Sequence, residues 1–184
     1  MILEAIVTTV DASGQLNIAP MGPVMQPGGD TFELRPFETS RTYNNLLTNP
    51  FGVLHVTDDV LLFASSAINK LEKAPATDAA EKGNGQILQN CCQWMEFEAN
   101  QIPSDSPRKT FHCSIVAEGS KRRFFGFNRA KHAVLEATIL ATRIDFIPFE
   151  EIQTQFQRLE TIVQKTGGEC EIKAFEMLCE FVQK

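Results

Sequence analysis

The most constraining feature of this sequence is a change of pattern near residue 126. Before that point, short runs rich in β-branched and aromatic residues alternate with turn residues, which is typical of strands. After it, apolar residues recur at helical spacing in three segments, 129–142, 148–166 and 169–182. Strands followed by helices predict an α+β protein. We expect a β-rich domain over 1–125 and a C-terminal helical extension over 126–184 that packs on it.

The β-rich part begins with a predicted hairpin, in which strands at 4–10 and 16–19 flank a turn at 11–14. Pro20 and Pro23 disfavour a regular central strand, so we expect segment 20–23 to leave the ladder. A short helix is predicted between a cap at Thr39 or Ser40 and a stop at Asn49–Pro50. The other predicted elements are strands at 31–35, 51–56, 87–97, 109–116 and around 124–125, a helix at 60–68, a mobile loop at 69–85 and a turn at 103–107.

Charge and hydropathy exclude several classes of partner. The net charge of −6 and the pI of about 5.1 disfavour nucleic acid, because phosphate backbones are bound by clustered Lys and Arg. The one basic cluster, 121–123, is short and typical of a solvated turn. No apolar run approaches the ~18 residues that span a bilayer, and the first residues lack the pattern of a signal peptide. We expect a cytoplasmic protein with no membrane partner.

The cysteines and histidines suggest no metal site. There are 5 Cys and 3 His, and no two cysteines have the Cys-x-x-Cys spacing of metal-binding pairs. We expect reduced, mostly buried thiols and structural histidines.

The hairpin offers the first candidate binding feature. Thr8 and Thr9 lie across from segment 17–22, where small residues and a Pro-broken strand leave backbone donors and acceptors exposed. A flat heteroaromatic ring with polar groups along one edge fits such a slot. An ordinary hairpin with a proline-terminated edge explains the same residues.

Two helix starts carry basic residues. Arg35 and segment 39–42 place hydroxyls and an arginine at the start of the first short helix, where unpaired N–H groups can hold a phosphate. A capped helix with a solvated arginine is the alternative. Segment 128–132 is a second such start, which is suited to an anion or a subunit contact and is also typical of a capped surface helix.

Several of these segments, taken together, resemble an uncharacterised family of FMN-binding split-barrel proteins. That family is related to the flavin-reductase-like and pyridoxamine-phosphate-oxidase-like barrels. The resemblance covers most of the chain apart from the polar stretch after Asn69. The segments that carry it are 6–9, 17–22, 34–37, 40–46, 56–59 and 127–137.

The resemblance implies a six-stranded Greek-key split β-barrel with short inserted helices, a helical C-terminal part and a homodimer with FMN near the interface. It places the phosphate at Ser40, Arg41 and Thr42, and the flavin ring beside the two hairpin strands. The cofactor-binding residues expected on this basis are Thr8, Thr9, Asn17, Ala19, Pro20, Met21, Gly22, Arg35, Ser40, Arg41, Thr42 and Asn45.

Three functions follow from these expectations. The first is an FMN-dependent oxidoreductase or flavin reductase with a nicotinamide nucleotide or another small molecule as its redox partner, in which no side chain needs to act as an acid or base. The second is a non-catalytic flavin carrier or redox sensor, with a contextual link to one-carbon metabolism. The third is a scaffold that binds another ligand or none.

Overall fold

The structure, a computed structural model, describes residues 1–103 and 106–183. The chain divides into two compact units, Met1–Thr57 with Pro75–Phe124, and Asp58–Ala74 with Phe125–Lys184. The predicted turn at 103–107 includes Ser104 and Asp105, which lie outside the described residues. The division into domains at 125/126 stays a prediction.

The first unit is built on antiparallel strands. Its strands are β1 (Ala5–Val10), β2 (Leu16–Met21), β3 (Val24–Met25), β4 (Thr31–Leu34), β5 (Phe51–Val56), β6 (Thr77–Ala79), β7 (Gln86–Leu88), β8 (Gln93–Ile102) and β9 (Thr110–Ser120), and its helix is α1 (Arg41–Thr48). Seven of the strands form one sheet in the order β2-β1-β5-β8-β9-β4-β3, and β6 and β7 form a separate pair.

The large sheet curls because its two ends belong to one stretch of chain. β2 and β3 are separated only by Gly22–Pro23. The pairing of Ala5 with Met21 continues in the same register to a bridge between Ile2 and Val24. The sheet has seven strands rather than the six that the resemblance implies, because the short β3, which no sequence pattern predicted, forms a separate strand after Gly22–Pro23.

Pro20 corrects one prediction. The sequence predicted that segment 20–23 leaves the ladder, but β2 continues to Met21, and Pro20 pairs with Ile6. β2 is hydrogen-bonded on one side only, and an edge strand tolerates a proline whose missing N–H would face outward.

Two other strand predictions differ from the structure. The strand predicted over 87–97 is interrupted between β7 and β8, and the residues around 124–125 lie outside any strand. The remaining predicted strands and the five predicted helices are present, and the α+β class is confirmed.

The core of the first unit is packed by phenylalanine, as its composition suggests. Phe32, Phe97 and Phe111 are buried, and the rings of Phe32 and Phe97 meet edge to face with centroids 5.2 Å apart. Tyr43 of α1 contacts the Phe111 ring at a centroid distance of 5.9 Å. These contacts fix α1 against the sheet.

The β6–β7 pair occupies part of the stretch predicted as a mobile loop. Thr77 pairs with Leu88 across it. Thr8 of β1 donates from Oγ1 to the C=O of Gln86 at 2.6 Å. A Cβ at Gly83 would lie 2.5 Å from Cγ of Phe51, so the connection between β6 and β7 approaches β5 too closely for a larger residue. The sequence missed this hairpin because its stabilising partners lie far away in the chain.

His55 holds the same hairpin from β5. Its ring is fully buried, and Nε2 accepts the N–H of Leu88 at 3.0 Å. Nδ1 therefore carries the ring proton and donates to the C=O of Ile6 at 3.2 Å. Burial lowers the pKa of His55 to about 4, although the Ile6 carbonyl favours the charged form. The histidine is thus a neutral link between β1, β5 and β7.

Glu96 is the third anchor of the hairpin. Its side chain is fully buried on β8. The carboxylate accepts the backbone N–H groups of three consecutive residues, Glu81, Lys82 and Gly83. A buried carboxylate needs such partners, because its desolvation is otherwise costly. Glu96 therefore fixes the turn between β6 and β7.

The second unit is helical. It contains α2 (Val60–Ala67), α3 (Arg129–Ala141), α4 (Phe149–Thr166) and α5 (Glu169–Val182). α3 contacts the other three helices, and its alanine-rich face permits close approach. The buried alanines are Ala130, Ala133, Ala137 and Ala141. Among the described residues, none of the helices combines the length and hydrophobicity needed to cross a membrane.

Candidate functional site

The first turn of α1 presents unpaired hydrogen-bond donors. Ser40 caps the helix, and its Oγ accepts the N–H of Tyr43 at 3.2 Å, which leaves the hydroxyl proton available. The first helical hydrogen bond runs from the N–H of Asn44 to the C=O of Ser40. The N–H groups of Arg41 and Thr42 have no partner among the described residues. Together with the exposed Arg41 side chain, they make this turn electropositive.

A polar cluster fastens this turn to the hairpin of β1 and β2. Nδ2 of Asn17 lies 3.1 Å from Oγ1 of Thr42 and 3.3 Å from Oγ1 of Thr9. Nδ2 of Asn45 donates to the same Thr9 hydroxyl at 3.0 Å. Thr9, Thr42 and Asn45 are buried and Asn17 is half-buried. Four residues predicted for the site therefore meet, and their bonds position α1.

The outer edge of β2 is unpaired. The backbone bonds from Asp11 to Gln15 and from Leu3 to Pro23 share the β1–β2 register. Because bonded and non-bonded pairs alternate in an antiparallel ladder, the odd-numbered residues of β2 bond to β1. The even-numbered residues turn their backbone groups outward, where no described residue bonds to them between 18 and 22. The edge offers N–H donors at Ile18 and Gly22, and carbonyls at Ile18, Pro20 and Gly22.

Ile18 is the residue that sequence analysis missed. Its side chain carries no polar group, so only its backbone recommends it. The alternation that puts the Pro20 carbonyl on an outer edge also puts Ile18 there. This alternation could have identified Ile18 from the sequence, but only if β2 were known to be an edge strand.

Two predicted site residues lie apart from this group. The buried Thr8 faces β7, on the side of β1 opposite to Thr9, because successive strand residues point to opposite faces. Arg35 follows β4, and its guanidinium contacts Oε2 of Glu33 at 2.7 Å. By the same alternation, the side chains of Ala19 and Met21 share a face with Asn17, and Pro20 faces the other way.

The two basic segments have partners within their own units. Lys121 contacts Asp78 at 2.7 Å in the first unit. In the second, Lys131 lies 2.8 Å from Oε1 of Glu171 and donates to the C=O of Asp58. Burial raises the pKa of Glu171, but Lys131 and the N–H of Gly168 outweigh it and hold that pKa below its ordinary value. These cations stabilise the fold locally.

The structure offers no metal-binding cluster among its described residues: no group of three or more His, Cys, Asp or Glu side chains is placed to hold an ion. No disulfide joins the five cysteines, all of which are described. The unpaired donors of α1 and of the edge of β2 suit an elongated ligand with an anionic end.

Solved structures with this fold include flavoproteins. An FMN-bound protein from Methanosarcina mazei is 26% identical, with a TM-score of 0.85 over 98% of this chain and 94% of that one. A flavoredoxin from Methanosarcina acetivorans is 10% identical, with a TM-score of 0.55 over 68% of this chain and 72% of that one. An NADH:FAD oxidoreductase from Streptomyces globisporus is 8% identical, with a TM-score of 0.53 over 65% and 76%. The last two matches establish a shared fold.

Family models account for nearly the whole chain. The model described as the N-terminal domain of a protein of unknown function, DUF447, matches residues 3–122. A second DUF447 model matches residues 128–180. The Methanosarcina mazei protein is assigned to the same family. The chain therefore belongs to the DUF447 family.

Proposed function

We propose that this protein binds FMN and acts as an FMN-dependent oxidoreductase or flavin reductase. The observation that carries the proposal is the pairing of an electropositive helix start with an unpaired strand edge, joined by the Asn17 cluster. An FMN-bound member of the same family that matches over nearly the full chain supports the choice of ligand.

The donors at the start of α1 fit a phosphate monoester. The Ser40 hydroxyl, the N–H groups of Arg41 and Thr42 and the Arg41 guanidinium are all donors, and a phosphate offers only acceptors at neutral pH. The partial positive charge of the helix start adds to this preference. These residues would hold the phosphate of FMN.

The outer edge of β2 fits the polar edge of a flavin ring. The polar edge of the ring combines carbonyl acceptors with one N–H donor, and the backbone of Ile18, Pro20 and Gly22 presents two N–H donors and three carbonyl acceptors. Ala19 and Met21 supply apolar surface on the face that Asn17 shares. Backbone donors at this edge would stabilise negative charge on a reduced ring.

FMN would supply the hydride or electron transfer, and the chain would bind the cofactor, orient it and tune its charge. None of the described residues on the outer edge of β2 or in the first turn of α1 is a histidine, a cysteine or an acidic residue. Proton transfer by a side chain is therefore no part of the proposal.

The same donors and acceptors would serve a second candidate, a flavin carrier or redox sensor without catalysis. Oxidation of NADH or NADPH by the FMN-loaded protein separates the two. Turnover with either nucleotide supports the oxidoreductase, and no turnover with both favours the carrier.

The finer architecture belongs to the proposal as well. We infer a Greek-key split barrel and a homodimer with FMN near the interface. Light scattering on the purified protein tests the dimer, and a monomeric mass would contradict it.

The visible absorbance spectrum of the protein, with and without added FMN, tests the binding proposal. A flavin band that stays with the protein through gel filtration supports it. Protein that carries no flavin and takes up none would overturn both flavin functions and leave the scaffold.

Replacing Arg41 with alanine should weaken FMN binding by about 1.5–3 kcal/mol, the worth of a hydrogen bond to a charged group. Titration of the apoprotein with FMN measures the change. Arg35→Ala is the matched comparison, because the Arg35 guanidinium already contacts Glu33. If Arg41→Ala binds normally and Arg35→Ala does not, the phosphate lies near Arg35.

A further inference from the structure

Asn17 stands between the two parts of the proposed flavin site. It precedes Ile18 on the unpaired edge of β2, and it contacts Thr42 in the first turn of α1. Its side chain is half-buried, so part of it is accessible to a ligand. A molecule that reaches from the helix start to the strand edge passes Asn17.

The two ends of the Asn17 amide are used differently. Its NH₂ group is committed to the hydroxyl oxygens of Thr9 and Thr42. Its carbonyl oxygen, Oδ1, accepts no hydrogen bond from any described residue. Asn17 therefore offers the ligand an acceptor in a site whose helix end consists of donors.

An unused acceptor selects one part of the ligand. A phosphate dianion has no proton to donate, so it would not pair with a carbonyl oxygen. The ring has a single N–H, which the carbonyls of Ile18 and Pro20 can receive. The hydroxylated chain between ring and phosphate is the remaining part of FMN, and it is rich in O–H donors.

We propose that Oδ1 of Asn17 accepts a hydrogen bond from a hydroxyl of the ribityl chain and so selects ligands in which a polyol joins the flavin ring to a phosphate. The inference rests on the proposed FMN function and assigns Asn17 a specificity role within that site. Its bonds to Thr9 and Thr42 hold the carbonyl in position.

Three ligands separate the contributions. Lumiflavin has the ring alone, riboflavin adds the polyol, and FMN adds the phosphate. The riboflavin-to-lumiflavin affinity ratio measures recognition of the polyol, and the FMN-to-riboflavin ratio measures recognition of the phosphate. Fluorescence titration of the apoprotein gives all three affinities.

Asn17→Leu should lower the riboflavin-to-lumiflavin ratio about tenfold, the effect of one lost hydrogen bond of about 1.4 kcal/mol. Asn17→Asp keeps an acceptor and should keep that ratio, which also provides a test if the leucine variant does not fold. Arg41→Ala removes a phosphate donor and leaves the bonds of Asn17 to Thr9 and Thr42 in place, so it should lower the FMN-to-riboflavin ratio instead. Asn44→Leu, on the exposed side of α1, is the control outside the site.

The failures of the two proposals are distinguishable. If the wild-type protein binds none of the three ligands, the FMN function is wrong. If it prefers riboflavin to lumiflavin and Asn17→Leu keeps that preference, the function stands and the role of Asn17 is wrong. A uniform loss for all three ligands in Asn17→Leu would show a purely structural residue and would also overturn the inference.

Discussion

Replacing Glu96 with alanine is expected to lower the free energy of unfolding by about 3 kcal/mol, because it leaves the backbone N–H groups of three consecutive residues without their acceptor. The carboxylate binds the N–H groups of Glu81, Lys82 and Gly83 from a fully buried position on β8. Alanine cannot accept a hydrogen bond, so the turn between β6 and β7 must rearrange to reach water. Urea unfolding monitored by circular dichroism measures the loss in the free energy of unfolding.

Glu98→Ala is the matched control for this prediction. Glu98 lies on the same strand, two residues further on, and its side chain is exposed. We expect it to change stability by no more than about 0.5 kcal/mol. Glu96→Gln should fall between the two, since it retains one acceptor oxygen. Equal losses for Glu96→Ala and Glu98→Ala would contradict the anchoring role of Glu96.

The second large effect is a loss of stability in mild acid through His55. Burial lowers the pKa of this histidine in the folded protein to about 4, from an ordinary value of 6.5. Between these values the unfolded chain binds a proton that the folded protein does not, so stability falls as the pH falls. The contribution of neutral His55 to stability is complete above pH 6.5 and is lost at about pH 4. The shift corresponds to about 3 kcal/mol.

A His55→Gln variant isolates this contribution. The variant keeps a polar side chain but does not titrate, so its stability should depend less steeply on pH than that of the wild type between pH 6.5 and 4. The other groups that titrate there are common to both proteins. Parallel curves would contradict the prediction. A nitrogen NMR spectrum offers a second check, since His55 should be neutral and protonated on Nδ1 at pH 6.

Local signals in the sequence predicted the helices well. Asn128 caps α3, and its Oδ1 accepts the N–H of Lys131 at 3.0 Å. Ser40 caps α1, and Asn49 ends it before Pro50. Caps and stops act within one turn of helix, so a reader of the sequence sees both partners at once.

Predictions failed where the deciding partner lies far away in the chain. Pro20 stays in β2 because that strand is at an edge, and only the complete sheet order makes it one. The β6–β7 hairpin begins within a polar stretch typical of a loop, yet it is held by Thr8 and His55 from other strands. Local polarity carries no information about such contacts.

The candidate site shows the same division. The sequence, through its resemblance to the FMN-binding split-barrel family, singled out Asn17, Thr42 and Asn45, and the structure brings them together with Thr9. It did not separate Thr8 from Thr9, although strand neighbours point to opposite faces. The curl of the sheet decides whether Thr8 or Thr9 points toward α1.

The sequence by itself determined the α+β class, the positions of the five helices and the electropositive first turn of α1, since propensities, caps and stops act over a few residues. Only the tertiary structure decided that β2 has an unpaired edge, that Glu96 and His55 hold a hairpin, and that Asn17 joins β2 to α1. These features depend on strand register and on contacts between distant segments, which are fixed only when the whole sheet forms.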